Sequence, residues 1–100
     1  MNTTVLKFID NFHRGDSKVI ENFLYGNCYW FAKILVERFS PAGVIMYDDV
    51  MNHFGCLINN HIYDISGDVS FDYNWKEWES FRLIDPLHTL TIERDCILKA

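Results

Sequence analysis

The chain has few of the residues that build the commoner small-protein sites. Its three cysteines stand far apart, which fits neither a disulfide framework nor the paired C-x-x-C spacing of a zinc site. Basic residues number nine against fourteen acidic ones, the net charge is -5, and no cluster of Lys and Arg occurs. We therefore expect no nucleic-acid-binding surface, no membrane-binding surface and no metal or other cofactor.

Long hydrophobic runs are also absent. No apolar stretch is long enough to span a membrane, and Asp10 interrupts the apolar N-terminal section, unlike a secretory signal. These features predict a cytoplasmic protein whose thiols are reduced. About half of the 100 residues are hydrophobic and 16% are aromatic, so we expect residues 1–100 to form a single domain with its own core.

The first forty residues have the spacing of three helices. Gly15 is expected to end the first helix, and Asp16 or Ser17 to cap the second, which Gly26 ends. Asn27 is expected to cap the third, and Pro41 lies where it breaks. The apolar faces of these helices are Val5, Phe8, Ile9 and Phe12, then Val19, Ile20, Phe23 and Leu24, then Trp30, Phe31, Ile34, Leu35, Val36 and Phe39.

After the proline the spacing becomes that of strands. The segments GVIMYDD, HFGCLI and HIYDIS predict three strands, with Asn59-Asn60 as a two-residue hairpin turn between the last two. The aromatic segment FDYNWKEWESF is predicted to be partly helical, with Trp75 and Trp78 on one side. Asp85-Pro86 suits a helix start, and the closing segment LHTLTIERDCIL is compatible with a helix or with a strand. The pattern as a whole predicts an α+β fold.

Cys28 is the first candidate for chemistry, because it lies at the predicted start of the third helix. Unpaired backbone N–H groups and the helix dipole there favour the thiolate, so we expect a depressed thiol pKa. The Cys28 N–H can also point at the oxygen of a carbonyl group under attack. Cys56 and Cys96 stand in apolar contexts and are expected to be core residues.

The predicted hairpin supplies an imidazole and a carboxylate. With Asn59-Asn60 as the turn, Ile58 pairs with His61, and strand alternation then places His53 and Asp64 on one face of the sheet as diagonal neighbours. Gly55 lies between them on that face and is expected to leave room for the carboxylate to lean toward the ring. A cysteine nucleophile needs such a base and orienting group, so Cys28, His53 and Asp64 are a candidate triad.

The pieces GNCYWFA, NHFGCLI and IYDISG, in this order, resemble the papain-like cysteine protease superfamily, in particular its NlpC/P60-like and transglutaminase-like branches. The resemblance implies N-terminal helices with the cysteine helix packed on a small antiparallel sheet. It also implies Cys28 as nucleophile, His53 as base and Asp64 as orienting residue, with Trp30 resembling the aromatic that follows the nucleophile. Such enzymes often place a Gln upstream of the cysteine, whereas this chain has no Gln and offers Asn22 and Asn27.

Two functions are compatible with these residues. One is a small papain-like hydrolase or acyltransferase that acts on an amide, ester or thioester, including one in a protein or peptide. The other is a non-catalytic protein-binding domain, regulatory or phage-encoded, that uses the groove beside Cys28. Each candidate residue also has an ordinary structural interpretation: Cys28 as a core residue, His53 as a surface residue at a strand end, and Asp64 as a turn cap near Ser66.

Overall fold

Three helices precede the sheet in the computed structural model, which describes residues 3–84 and 86–95. They are α1 (Thr3–His13), α2 (Ser17–Leu24) and α3 (Cys28–Arg38), close to the predicted bounds. Asp16 caps α2 by accepting a hydrogen bond from the Lys18 N–H. Gly15 and Gly26 both have positive φ, as expected for residues that follow a helix end.

The three predicted strands form most of an antiparallel sheet of five. They are β1 (Val44–Asp48), β2 (His53–Ile58) and β3 (His61–Asp64), and two short edge strands, β4 (Gly67–Asp68) and β5 (Lys76–Glu77), complete the order β4-β3-β2-β1-β5. Helices α4 (Trp78–Ile84) and α5 (Pro86–Asp95) follow. The α+β prediction is confirmed, and the closing segment is a helix. Asp85 and Cys96 lie outside the described residues.

The register of the β2–β3 hairpin is as predicted. Cys56 pairs with Tyr63, Leu57 with Ile62 and Ile58 with His61. Asn59 and Asn60 both have positive φ, which is the backbone of a tight hairpin turn whose twist matches that of the strands. This turn fixes which side chains of β2 and β3 share a face.

The two faces of the sheet have different covers. Phe54, Cys56 and Ile58 of β2 point toward α3 and the N- and C-terminal helices, where the main core forms. Residues 69–75, which we call the strap, cross the opposite face, where Tyr73 and Trp75 pack near Met46, Leu57 and Ile62. The helices on one face and the strap on the other both place side chains over the start of β2.

The prediction that Trp75 and Trp78 share one side is wrong. Lys76 and Glu77 between them pair with Tyr47 and Met46 of β1, so the chain turns around the sheet edge there. Trp75 therefore lies on the strap face, and Trp78 packs with Phe54 on the helix face. Within residues 3–84 and 86–95, no helix has the length and hydrophobicity of a membrane span.

Candidate functional site

The structure joins His53 directly to Asp64. Nε2 of His53 and Oδ2 of Asp64 lie 2.7 Å apart, and both side chains are buried. A carboxylate only accepts hydrogen bonds, so with ionised Asp64 the proton of the neutral ring is on Nε2. The other ring nitrogen, Nδ1, then carries a lone pair, which is the state that a general base requires.

A second contact holds the Asp64 carboxylate in place. Its Oδ1 accepts hydrogen bonds from the backbone N–H and from the hydroxyl group of Ser66, at 2.7 and 2.5 Å. Asp64 is thus both the turn cap and the partner of His53, two interpretations that the sequence presented as alternatives. The D-x-S spacing of an Asx turn is the sequence signal for this cap.

The His53 ring is fully enclosed, with 0% of its surface exposed. The ring of Tyr73 lies 4.9 Å from it between centroids, and that of Trp75 lies 5.9 Å away. Within the described part of the chain, Nδ1 is buried and has no hydrogen-bond partner. Buried polar atoms without a partner are rare in folded proteins, and a catalytic role is one of the explanations for them.

Cys28 begins α3, as predicted, and is 2% exposed. It belongs to a buried cluster with Tyr29, Tyr47 and Phe54 on the helix face of the sheet. His53 immediately precedes Phe54, and strand alternation directs its ring to the strap face. The fold therefore brings His53 to Asp64 and brings the first turn of α3 to the same end of β2, with Cys28 and the imidazole on different faces there.

The amides and the indole near Cys28 lie at the surface. Asn27 is the residue before α3, but its side chain makes no cap hydrogen bond; instead, its Nδ2 donates to the backbone oxygen of Asn22 at 3.2 Å. Asn22 and Asn27 are both exposed. Trp30 is 46% exposed and its ring packs edge-to-face on Tyr29. These three residues surround the start of α3 from outside, so their predicted roles in oxyanion or substrate binding stay predictions.

A buried carboxylate beside Tyr29 was not predicted. Glu93 of α5 accepts a hydrogen bond from Nε1 of Trp78 and lies 3.4 Å from Nε of Arg82. Burial and the charge of Glu93 raise the pKa of Tyr29 above its ordinary value. This group connects α3, α4 and α5 and thereby fixes the residue next to Cys28. It joins residues that are distant in sequence, so no local pattern indicates it.

Cys56 differs from Cys28 in having an ordinary core position. It is fully buried in the middle of β2, and burial raises the pKa of its thiol to about 12. Among the described residues, no group of three or more His, Cys, Asp and Glu side chains is arranged to hold a metal ion. Of these two buried thiols, Cys28 is the one that lies at the start of a helix.

Comparison with known proteins identifies a family. Residues 5–94 match the family model described as Phage YunG-like protein. No papain-like or NlpC/P60 family matches, so the family resemblance inferred from the sequence is wrong. The order of cysteine, histidine and aspartate on which it rested is a short pattern, whereas the family model spans nearly the whole chain. Searches of curated proteins and of solved structures found no significant match.

Proposed function

Because the chain belongs to the family of phage YunG-like proteins, whose description names no activity, we propose a function from the site itself. The protein is a thiol-dependent hydrolase or acyltransferase that acts on an amide, ester or thioester. Cys28 is the nucleophile, His53 the base and Asp64 the group that orients the base. The observation that carries this proposal is the buried His53–Asp64 pair, whose Nδ1 is unpartnered within the described residues.

The position of Cys28 supports the assignment of the nucleophile. The first hydrogen bond within α3 runs from the Phe31 N–H to the Asn27 oxygen, so the Cys28 N–H precedes the helical ladder. This N–H and the positive end of the helix dipole stabilise negative charge on the sulfur or on a nearby oxyanion. Cys28 clusters with Phe54, the residue that follows His53 in β2. The proposed proton transfer therefore needs a rearrangement that brings the thiol and the imidazole to one side of β2.

The proposed reaction has two stages. First, His53 Nδ1 takes the thiol proton, the sulfur forms a bond to the carbonyl carbon, and the leaving nitrogen, oxygen or sulfur departs with that proton. Second, water or another acceptor attacks the thioester while Nδ1 takes its proton, and the sulfur leaves and recovers the proton. No electrons are exchanged with an external partner. Cys28 and Cys56 are not joined in a disulfide, which suits a reducing compartment, and we propose the cytoplasm.

Acylation by p-nitrophenyl acetate tests this function. We expect p-nitrophenol release in a burst followed by turnover, with the acetyl group found on Cys28 by peptide mass spectrometry. Cys28→Ala should abolish both phases. Cys56→Ala is the matched control, because it removes the other buried thiol, and it should keep both phases. A wild-type protein whose acetyl groups are found only on lysines would contradict the proposal.

The alternative function is a non-catalytic protein-binding domain. Exposed aromatic side chains favour it, since Tyr25 and Trp30 are about half exposed on either side of Cys28 in the chain, and exposed aromatics are enriched in protein interfaces. This alternative predicts that Cys28 is never acylated. The same experiment therefore decides between the two functions.

A further inference from the structure

The strap, residues 69–75, covers His53 on its own face of the sheet. Two of its rings, Tyr73 and Trp75, lie against the imidazole, which is 0% exposed. A base enclosed in this way cannot exchange protons with a substrate or with water. For the proposed reaction to occur, these rings must move.

The start of the strap is fastened to β3, because the Val69 N–H donates to the Ile62 oxygen at 2.8 Å and the Ile62 N–H donates to Oγ of Ser70 at 2.9 Å. Fewer contacts hold residues 71–75, which include the two rings against His53. The backbone N–H of Asn74 donates to Oδ2 of Asp48, at 3.0 Å. Nε1 of Trp75 donates to the backbone oxygen of Val69, also at 3.0 Å, so the strap is tied to itself. Asp48 is anchored independently, since its Oδ1 accepts from the N–H groups of Val50 and Met51. The hydrogen bond from Asn74 to Asp48 and the packing of Tyr73 and Trp75 hold residues 71–75. A short segment held in this way is the kind of local structure that opens without unfolding of the whole.

We propose that the strap is a gate over His53, closed in this structure, whose opening by displacement of Tyr73 and Trp75 exposes Nδ1. This inference rests on the proposed function for its purpose, because the gate controls when the base can act. The gate can nevertheless be tested independently of catalysis, since the exposure of His53 does not depend on any reaction of Cys28.

Diethyl pyrocarbonate measures this exposure directly. It transfers an ethoxycarbonyl group to an accessible neutral imidazole nitrogen, with loss of carbon dioxide and ethanol, and peptide mass spectrometry reports each histidine separately. The measurement is made in the Cys28→Ala protein, which removes the nucleophile. His61, whose side chain is 48% exposed, serves as the internal reference. In this background we expect modification of His53 to be much slower than that of His61.

Variants of the strap then test the gate. Tyr73→Leu removes the aromatic ring that packs against the imidazole of His53. It should speed modification of His53 by about tenfold or more, because the free energy of local opening falls. Tyr73→Phe keeps the ring and should leave the rate near the starting value. Phe71→Leu is the matched control, since Phe71 lies on the same strap, is 97% exposed and covers nothing.

Two results would overturn the gate. One is a His53 that is modified as fast as His61 before any change to the strap. The other is a Tyr73→Leu protein that melts as the parent does but leaves His53 equally protected. If Tyr73→Leu fails to fold, Trp75→Phe tests the gate instead. This variant keeps a ring at position 75 and removes the hydrogen bond to Val69. An unchanged rate of His53 modification in Trp75→Phe also overturns the gate. If His53 follows the strap while Cys28 is never acylated, the gate stands and the hydrolase proposal fails.

Discussion

At the scale of single residues, Asp64 has two tasks. One oxygen accepts from His53 and the other accepts from Ser66, so the carboxylate joins the base to a turn. A neutral amide in its place keeps the turn but presents no charge to an imidazolium, and it can hold the ring in the wrong tautomer. We expect Asp64→Asn to slow acylation of Cys28 by at least about tenfold, measured as the p-nitrophenol burst rate.

The surface of the protein offers a matched control for this change. Asp68 accepts hydrogen bonds from His61 and from Ser70, so it repeats the His–Asp–Ser arrangement in an exposed position. Asp68→Asn should therefore leave the burst rate unchanged. An Asp64→Asn protein that loses thermal stability but keeps the full burst would mean that Asp64 serves only as a turn cap.

At the scale of elements, Gly55 determines how closely the strap approaches the sheet. A Cβ atom there would lie 2.9 Å from Cγ2 of Ile62 and 3.0 Å from the indole of Trp75. The space that glycine leaves is thus occupied by Ile62 and Trp75, which corrects the expectation that it accommodates Asp64. The strap could not close in its present position over a larger residue.

This close approach predicts a coupling between two positions. Gly55→Ala should lower the free energy of unfolding by about 1–3 kcal/mol, because the added methyl group overpacks a filled site. Trp75→Leu should reduce that penalty in the double variant, since it removes the crowded ring. Urea unfolding of the four proteins in this cycle measures the coupling. Strictly additive effects would show that the methyl group and the indole do not compete for space.

How much of these elements the sequence reveals depends on the range of the contacts. Asn59 and Asn60 set the hairpin register locally, and with it the meeting of His53 and Asp64. The alternation of side chains along β2 and β3 does not tell which face of the sheet α3 covers, because that depends on long-range packing. Trp75 and Trp78 have helical spacing, yet the pairing of Lys76 and Glu77 with β1 separates them. Nothing within that segment indicates its partner strand.

At the scale of the whole molecule, the sheet separates a thick helical core from a thin cover. The larger core spans α1, α3, β2 and β3, and its buried members are Val5, Ile9, Phe31, Leu35, Cys56, Ile58, Tyr63 and Ile65. The opposite face has a small cluster in which Met46 and Ile62 of the sheet pack with Val69 of the strap. Global stability therefore comes mainly from the helix side of the sheet. The proposed gate lies on the other side, where opening exposes less buried apolar surface.

The helical core should also make stability depend on alkaline pH through Cys56. Burial raises the pKa of its thiol from 9.0 to about 12, so between these values the folded protein keeps a proton that the unfolded chain releases. The stabilisation is complete below about pH 9 and is lost as the pH rises toward 12. Between pH 8 and pH 10, wild type should lose about 1 kcal/mol more unfolding free energy than Cys56→Ala. Urea unfolding at both values measures this difference, and equal losses in the two proteins would mean that the thiol titrates normally in the folded core.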